Sequence, residues 1–356
     1  MEERIRVAFL ETHHPHMWHR VAILDSMQNV EILGFFDDDE STAQQFMQRT
    51  GWHRFQNAED LLEEKPDIIF VESMDNAIPY YAKLAARAAK CVLVEKVGAT
   101  SPEAVKALED ELSDFDVSIE NGFQMNYMPV VKDCAKIASS GALGRITLVR
   151  FHGGCPVGCA ADPWCNDPAL SSGLVWLEGC HVLDIALELL GEPKTVTGLL
   201  AKLEKGDEVI STRVGMDLFK GAGEPTLTRI GALNHEDVGA AIALYDDKLA
   251  VFDFTAWESG PWCEEWKIEF YGTDGTMTAR LFPERIELKL QNAFDDYPAG
   301  LSTIEYPLTD ELGDSQMKNA YRRQIMHMID MLKNGSKDQS GMRRMTDVAL
   351  LAEKMY

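Results

Sequence analysis

The stretch FLETHHPHMWHR, Phe9 to Arg20, sets Glu11 and four histidines, His13, His14, His16 and His19, between a short apolar strand and a helix. Aligned on the apolar residues of that strand, Glu11, His13 and His16 fall on the three glycine positions of the G-x-G-x-x-G turn that cradles a dinucleotide pyrophosphate. All three glycines are replaced. The substitutions add bulk where backbone should approach phosphate closely, and Glu11 adds negative charge there. A helix N-terminus still attracts anions, so Thr12, His13, His14 and His16 remain candidates to hold a cofactor in a shifted pose. Asp37 and Asp38, closing GFFDDD about 20 residues on, stand where a carboxylate holds an adenosine ribose and disfavours the extra phosphate of NADP.

A metal reading of the histidines is weighed and set aside. The H-H-P-H spacing spans a turn and a helix start, unlike the i, i+4 pair of a zinc helix. His152, Cys155, Cys159 and Cys165 lie in a Gly/Pro-rich loop without a C-x-x-C pair, so no metal site is assigned there either. Trp164, Trp176, Trp257, Trp262 and Trp266 offer apolar faces for a sugar ring, although tryptophans on strands and helices are mostly core. Trp164, in the loop PWCNDP, is the one expected to touch substrate.

These residues need elements to position them. Residues 4 to 120 alternate apolar runs (RVAFL, VEILGFF, DIIFV, CVLVE, VSIEN) with helical stretches, the βαβ rhythm of a parallel sheet. Ser101-Pro102 reads as a cap followed by proline at the first helical position. After SSGALG the rhythm changes. One helix is expected over Leu174 to Leu190, then consecutive strands with short turns to about Leu290, an antiparallel pattern. Two helices, near Asn319 to Leu332 and Met345 to Met355, close the chain. The expected architecture is a Rossmann-type α/β unit over 1–123, then an α+β unit with a large, mostly antiparallel open sheet over 124–356.

The 356 residues, 46% hydrophobic, suffice for two cores. With 34 Lys and Arg against 58 Asp and Glu, the net charge of −24 repels nucleic acid and anionic membranes. No apolar run approaches the roughly 20 residues of a membrane span and no signal peptide is visible, so a cytoplasmic protein is expected. Seven scattered cysteines suit reduced thiols.

The order of elements and five motifs together resemble the glucose-fructose oxidoreductase and inositol dehydrogenase (Gfo/Idh/MocA) family. The motifs are VEKV at Val94 to Val97, NGFQMNYMP at Asn121 to Pro129, SSGALGRI, DPALSSGLVWLEGCHVLD, and YGTDGTM. The resemblance implies a nicotinamide cofactor, NAD(H), and oxidation or reduction of a hydroxyl or ketone on a sugar, glycoside or cyclitol. It places Glu95 and Lys96 beside the cofactor, and Asn126, Tyr127 and His181 beside the substrate. His181 is then the base that takes the hydroxyl proton as hydride leaves. Lys96 hydrogen-bonds the same oxygen and lowers the histidine's pKa. The family's aspartate one turn before the histidine falls on Leu177, leaving Glu178 at i−3 and Asp184 at i+3 as the nearby acids. Proline after the lysine has become Val97.

The first expectation is therefore an NAD-dependent oxidoreductase acting on a small sugar-like substrate. Two others stand beside it. Loss of the glycines suits a non-redox lyase, hydratase or epimerase on keto-sugars, possible with a metal, and a silent sugar-binding sensor of the same fold is the third. A homo-oligomer is expected, because an open sheet needs its exposed face covered.

Overall fold

The computed structural model describes residues 4–155, 166–170, 173–203, 208–213, 226–231, 233–258, 266–307, 316–335 and 337–356. Trp164, Cys159, Cys165 and Trp262, singled out above, lie outside the described residues.

The apolar runs form a five-stranded sheet: β1 (Ile5–Leu10), β2 (Val30–Phe36), β3 (Ile68–Val71), β4 (Cys91–Val94) and β5 (Ser118–Asn121). Its order is β2-β1-β3-β4-β5, with every neighbour parallel. Helices cover both faces, so β3, β4 and β5 are buried along their whole length, and β3 and β4 read as unbroken apolar runs, whereas β5 also buries Glu120 and Asn121. Ser101 caps its helix as expected, its hydroxyl accepting from the Ala104 amide at 3.2 Å. The chain leaves β1 toward β2 on one side and returns to β3 on the other. That reversal opens a crevice at the C-terminal strand ends, the usual ligand position in such sheets. A carboxylate follows each of the first four strands there: Glu11, Asp37, Glu72 and Glu95.

The second sheet has eight strands: β6 (Ile146–Gly154), β7 (Thr195–Ala201), β10 (Val238–Leu244), β11 (Leu249–Thr255), β12 (Lys267–Gly272), β13 (Gly275–Leu281), β14 (Glu284–Leu290) and β15 (Gly300–Glu305). Their order is β15-β14-β13-β12-β6-β11-β10-β7, antiparallel throughout except for the parallel pair β6–β11. A separate ribbon pairs β8 (Glu208–Arg213) with β9 (Thr226–Gly231). Burial alternates along β10 and β11, so one face meets the helices and the other carries Leu199, Ile242, Leu244 and Leu249 outward.

Two differences from the sequence reading bear on the site. The helix expected over 174–190 is split into a π-helical turn, Val175–Gly179, and an α-helix, Cys180–Leu190. The closing helices, Gln316–Asn334 and Ser340–Glu353, return to the first sheet. Gln324 donates to the Asn121 carbonyl at 2.8 Å, and the Ile119 amide donates to the Asp338 carbonyl at 2.7 Å. Gly341 lies so close to β5 that a Cβ there would meet the Ile119 oxygen at 2.4 Å. Among the described residues, no helix is long and apolar enough to cross a membrane.

Candidate functional site

Lys96 leaves β4 directly, and its side chain is buried where the π turn of the second unit meets the crevice. Its ammonium donates to the Leu177 carbonyl at 2.6 Å. Leu177 stands where the resemblance calls for an aspartate, and its main-chain oxygen takes the lysine instead. A π turn disturbs the regular i→i−4 ladder, and such turns recur at functional positions. The peptide between Lys96 and Val97 is cis.

His181 begins the α-helix after that turn and is fully buried. Its ring centre lies 5.6 Å from His16, 5.9 Å from Phe123 and 6.5 Å from Trp266. Burial, then the charge of Lys96, hold its pKa well below the ordinary value, so the ring is neutral at neutral pH. Burial pushes Glu178 up to about 7, against the pull of Lys96, whose ammonium it helps stabilise in return. Lys96 thus acts electrostatically on both Glu178 and His181.

The glycine-free turn closes on itself. Glu11 takes a left-handed φ of 64° and is buried, its carboxylate accepting from the Asp38 amide at 3.1 Å and lying 3.3 Å from His13. That contact raises the pKa of His13. The Thr12 amide and hydroxyl both donate to Asp37, and the amides of His13 and His14 both donate to the Glu72 carbonyl at 3.0 Å. The His16 amide donates to His14 Nδ1 at 3.3 Å, and the Met17 amide to the His14 carbonyl at 3.2 Å. From Glu11 to Met17 every main-chain N–H therefore has a partner within the chain, Pro15 having none to give.

This geometry corrects several sequence expectations. His14 and His16 do not face outward to receive phosphate; both are buried, with Nδ1 at 3.7 and 2.9 Å from Glu95 Oε1. His13 is tied to Glu11 and Asp37. Asp37 is fully buried, spends its oxygens on Thr12 and the Asp39 amide, and is pushed up to about 6 by burial. Asp38 is the exposed carboxylate at the end of β2, accepting from the Tyr81 hydroxyl at 3.1 Å. Asn126 and Asp184 hydrogen-bond each other, and burial lifts Asp184 to about 8. Tyr127 donates to Glu120 at 3.0 Å and lies 2.9 Å from His327 Nδ1.

Sequence reasoning missed Arg20, Glu72 and Asp75. Arg20, fully buried on the helix after the turn (α1, Met17–Ser26), bridges Glu72 and Glu95, reaching the second at 2.7 Å. Burial raises Glu72 to about 8; Glu95 sits low despite its burial, because His14, Arg20 and Lys96 outweigh it. Asp75 is pushed up by burial to about 7. For Glu72 the available signal was the acid directly after a parallel strand, in DIIFVE as in CVLVE.

Comparison with known proteins sets this geometry among relatives. Residues 16–122 match the family model described as "Oxidoreductase family, NAD-binding Rossmann fold", and residues 131–278 match that of the GFO/IDH/MocA C-terminal domain. The first match begins at His16, beyond most of the glycine-free turn. Glucose-6-phosphate 3-dehydrogenase of Bacillus subtilis (strain 168) is 26% identical over 129 residues, 36% of this chain and 37% of that one. Inositol 2-dehydrogenase 2 of Saccharopolyspora erythraea is 32% identical over 130 residues, 35% of each. The chain thus aligns with little more than a third of the length of these curated relatives. Among solved structures, levoglucosan dehydrogenase with NADH and levoglucosan superposes with a TM-score of 0.77 at 16% identity, covering 99% of this chain and 96% of that one. GenD2 from gentamicin A biosynthesis, in complex with NAD, gives 0.73 at 20% identity, covering 100% and 94%. These likenesses show a shared fold.

Proposed function

The chain belongs to the Gfo/Idh/MocA oxidoreductase family, and from that premise we propose that it interconverts a hydroxyl and a ketone on a sugar, glycoside or cyclitol with a nicotinamide cofactor. The observation that carries the reading is the hydrogen bond from Lys96, just past β4, to the Leu177 carbonyl in the turn that leads into the helix of His181, at the strand ends where this fold keeps its ligands. The names of the two curated relatives, which act on a sugar phosphate and a cyclitol, support the substrate class.

The residues fit the two ends of such a cofactor. Asp38 presents an exposed carboxylate beyond β2, suited to ribose hydroxyls and repelling a 2′-phosphate, which favours NAD. Glu95 and Lys96 line the other end. The turn between them offers no main-chain N–H to a pyrophosphate, and the first amides of the helix after it are paired as well, so phosphate contacts would come from side chains. Bound nicotinamide supplies or takes the hydride. The chain's own part is the proton and the charge. His181, neutral in its buried setting, accepts the proton from the reacting hydroxyl in one direction and returns it in the other. Lys96 donates to the same oxygen as negative charge develops, moving from the Leu177 carbonyl to the substrate. Exclusion of water around both strengthens these interactions.

Titration of the purified protein with NAD, NADH and NADP, read by thermal shift and nicotinamide fluorescence, tests the reading, because a ligand of the folded state raises apparent stability. Saturable binding of NAD(H) in preference to NADP is expected. No binding at millimolar cofactor overturns it.

A further inference from the structure

The turn that closes against pyrophosphate brings another set of donors together. His14, His16 and Glu95 each place one ligand atom within 4.8 Å of the others, and all three are buried. From these contacts we propose that His14, His16 and Glu95 form a binding site for one divalent first-row transition ion, zinc or iron(II), beside His181. The proposal does not depend on the nicotinamide reading.

Two imidazoles and one carboxylate are the donor set of open zinc sites and of the two-histidine, one-carboxylate iron sites. The spacing suits it. Bonds of about 2.0–2.1 Å at tetrahedral angles put ligand atoms roughly 3.3 Å apart, and the two histidine nitrogens lie 2.9 and 3.7 Å from the same Glu95 oxygen. The protonation states suit it as well. His14 Nδ1 carries its lone pair, which accepts from the His16 amide at the long distance of 3.3 Å, and an ion bound at Nδ1 takes the place of that contact. His16 Nδ1 donates to the Glu95 carboxylate, and an ion inserted between them displaces that one proton.

The surroundings hold the carboxylate as a ligand must be held. The second oxygen of Glu95 accepts from Arg20 at 2.7 Å, which fixes the group and leaves Oε1 toward the histidines. Gly122 makes room: a Cβ there would lie 2.6 Å from Glu95 Oε1. The cations Arg20 and Lys96 lie nearby, and the Glu95 carboxylate, set between Arg20 and the two histidines, is the negative group that faces the ion. The His16 ring centre lies 5.6 Å from that of His181, so an ion held by this set would sit in the neighbourhood of His181, and a dication there would act as a Lewis acid on a bound oxygen.

The test uses the whole protein. After chelator treatment, zinc, cobalt(II) and, without oxygen, iron(II) are titrated by calorimetry, with elemental analysis of the protein as purified to tell zinc from iron. One ion per chain and release of about one proton per ion are expected, with a cobalt absorption spectrum of low-coordinate nitrogen and oxygen ligation. His14→Ala and His16→Ala should weaken uptake at least 100-fold, while His19→Ala, on the helix that follows the turn and outside the set, should retain it. The wild-type cobalt spectrum and proton count decide the matter even if a variant fails to fold. Absence of stoichiometric uptake of all three ions by the wild type, or uptake unchanged in the folded His14→Ala and His16→Ala variants, overturns the proposal.

Discussion

Lys96 rests its ammonium on a main-chain oxygen rather than on an acid, so no carboxylate must be stripped away when it turns to substrate. In the proposed reaction His181→Ala therefore lowers turnover by about 10² or more while leaving nicotinamide binding intact, read by steady-state rates beside the fluorescence titration. Unchanged turnover removes His181 from proton transfer. Arg20 has a different task. It is the cation between Glu72 and Glu95, and Arg20→Met leaves those carboxylates buried around a neutral side chain. Removing one partner of a buried ion pair costs about 3–5 kcal/mol, so urea denaturation should show a loss of that order; a loss near zero would mean that the two acids share a proton without needing Arg20.

At the scale of elements, the close fit of β4 and β5 is the feature most exposed to substitution. Gly122 lies where a methyl would press on both the Lys96 amide, at 2.5 Å, and Glu95. Gly122→Ala should cost about 1–3 kcal/mol as an overpacked position and reduce turnover more than a loss of fold alone explains, checked by comparing melting with rate per folded molecule. The strand pattern that leads to this point is legible in the sequence, because runs such as IIFV and CVLV are buried on both faces and contain little else. The change to an antiparallel pattern after SSGALG is legible for the same reason, through alternation along strands such as β10. The π turn was not, since Val175–Gly179 has the apolar content of an ordinary helix and its register depends on outside contacts such as the Val175 amide on Glu236. Nor was the convergence of His16 with Glu95, separated by 79 positions and joined only when β1 and β4 end on one edge of the sheet.

For the whole molecule, titration of buried groups sets the response to pH. His14, His16, His19 and His181 have pKa values lowered by burial, so in the folded state they bind fewer protons than unfolded and add stability as pH rises toward about 6.5. Above that their contribution is constant. Glu72, Asp75, Glu178 and Asp184 are raised by burial to about 7 or 8, and the folded state holds protons there that the unfolded chain has already lost. His152, caught between Asp253 and Glu258 and raised to about 9, acts in the same direction. Melting temperature of metal-stripped protein should therefore fall between pH 6.5 and 9, whereas a flat or rising profile contradicts this protonation pattern. The outward face of the large sheet is a second property at this scale: Leu199, Ile242, Leu244 and Leu249 are exposed on neighbouring strands. We propose self-association through that face, and Ile242→Lys should shift the mass measured by light scattering toward the monomer; an unchanged mass places any interface elsewhere.

The return of the closing helices to the first sheet has a consequence for how the protein is made. A ribosome finishes β1 to β5 long before it delivers residues 316–356, which contain the groups that pair with Ile119, Asn121 and Arg20. Until then one flank of the nascent Rossmann layer, including the edge of β5, stays uncovered, and unpaired strand edges of that kind invite association with other chains. The Rossmann layer is thus synthesised before the helices that seal it.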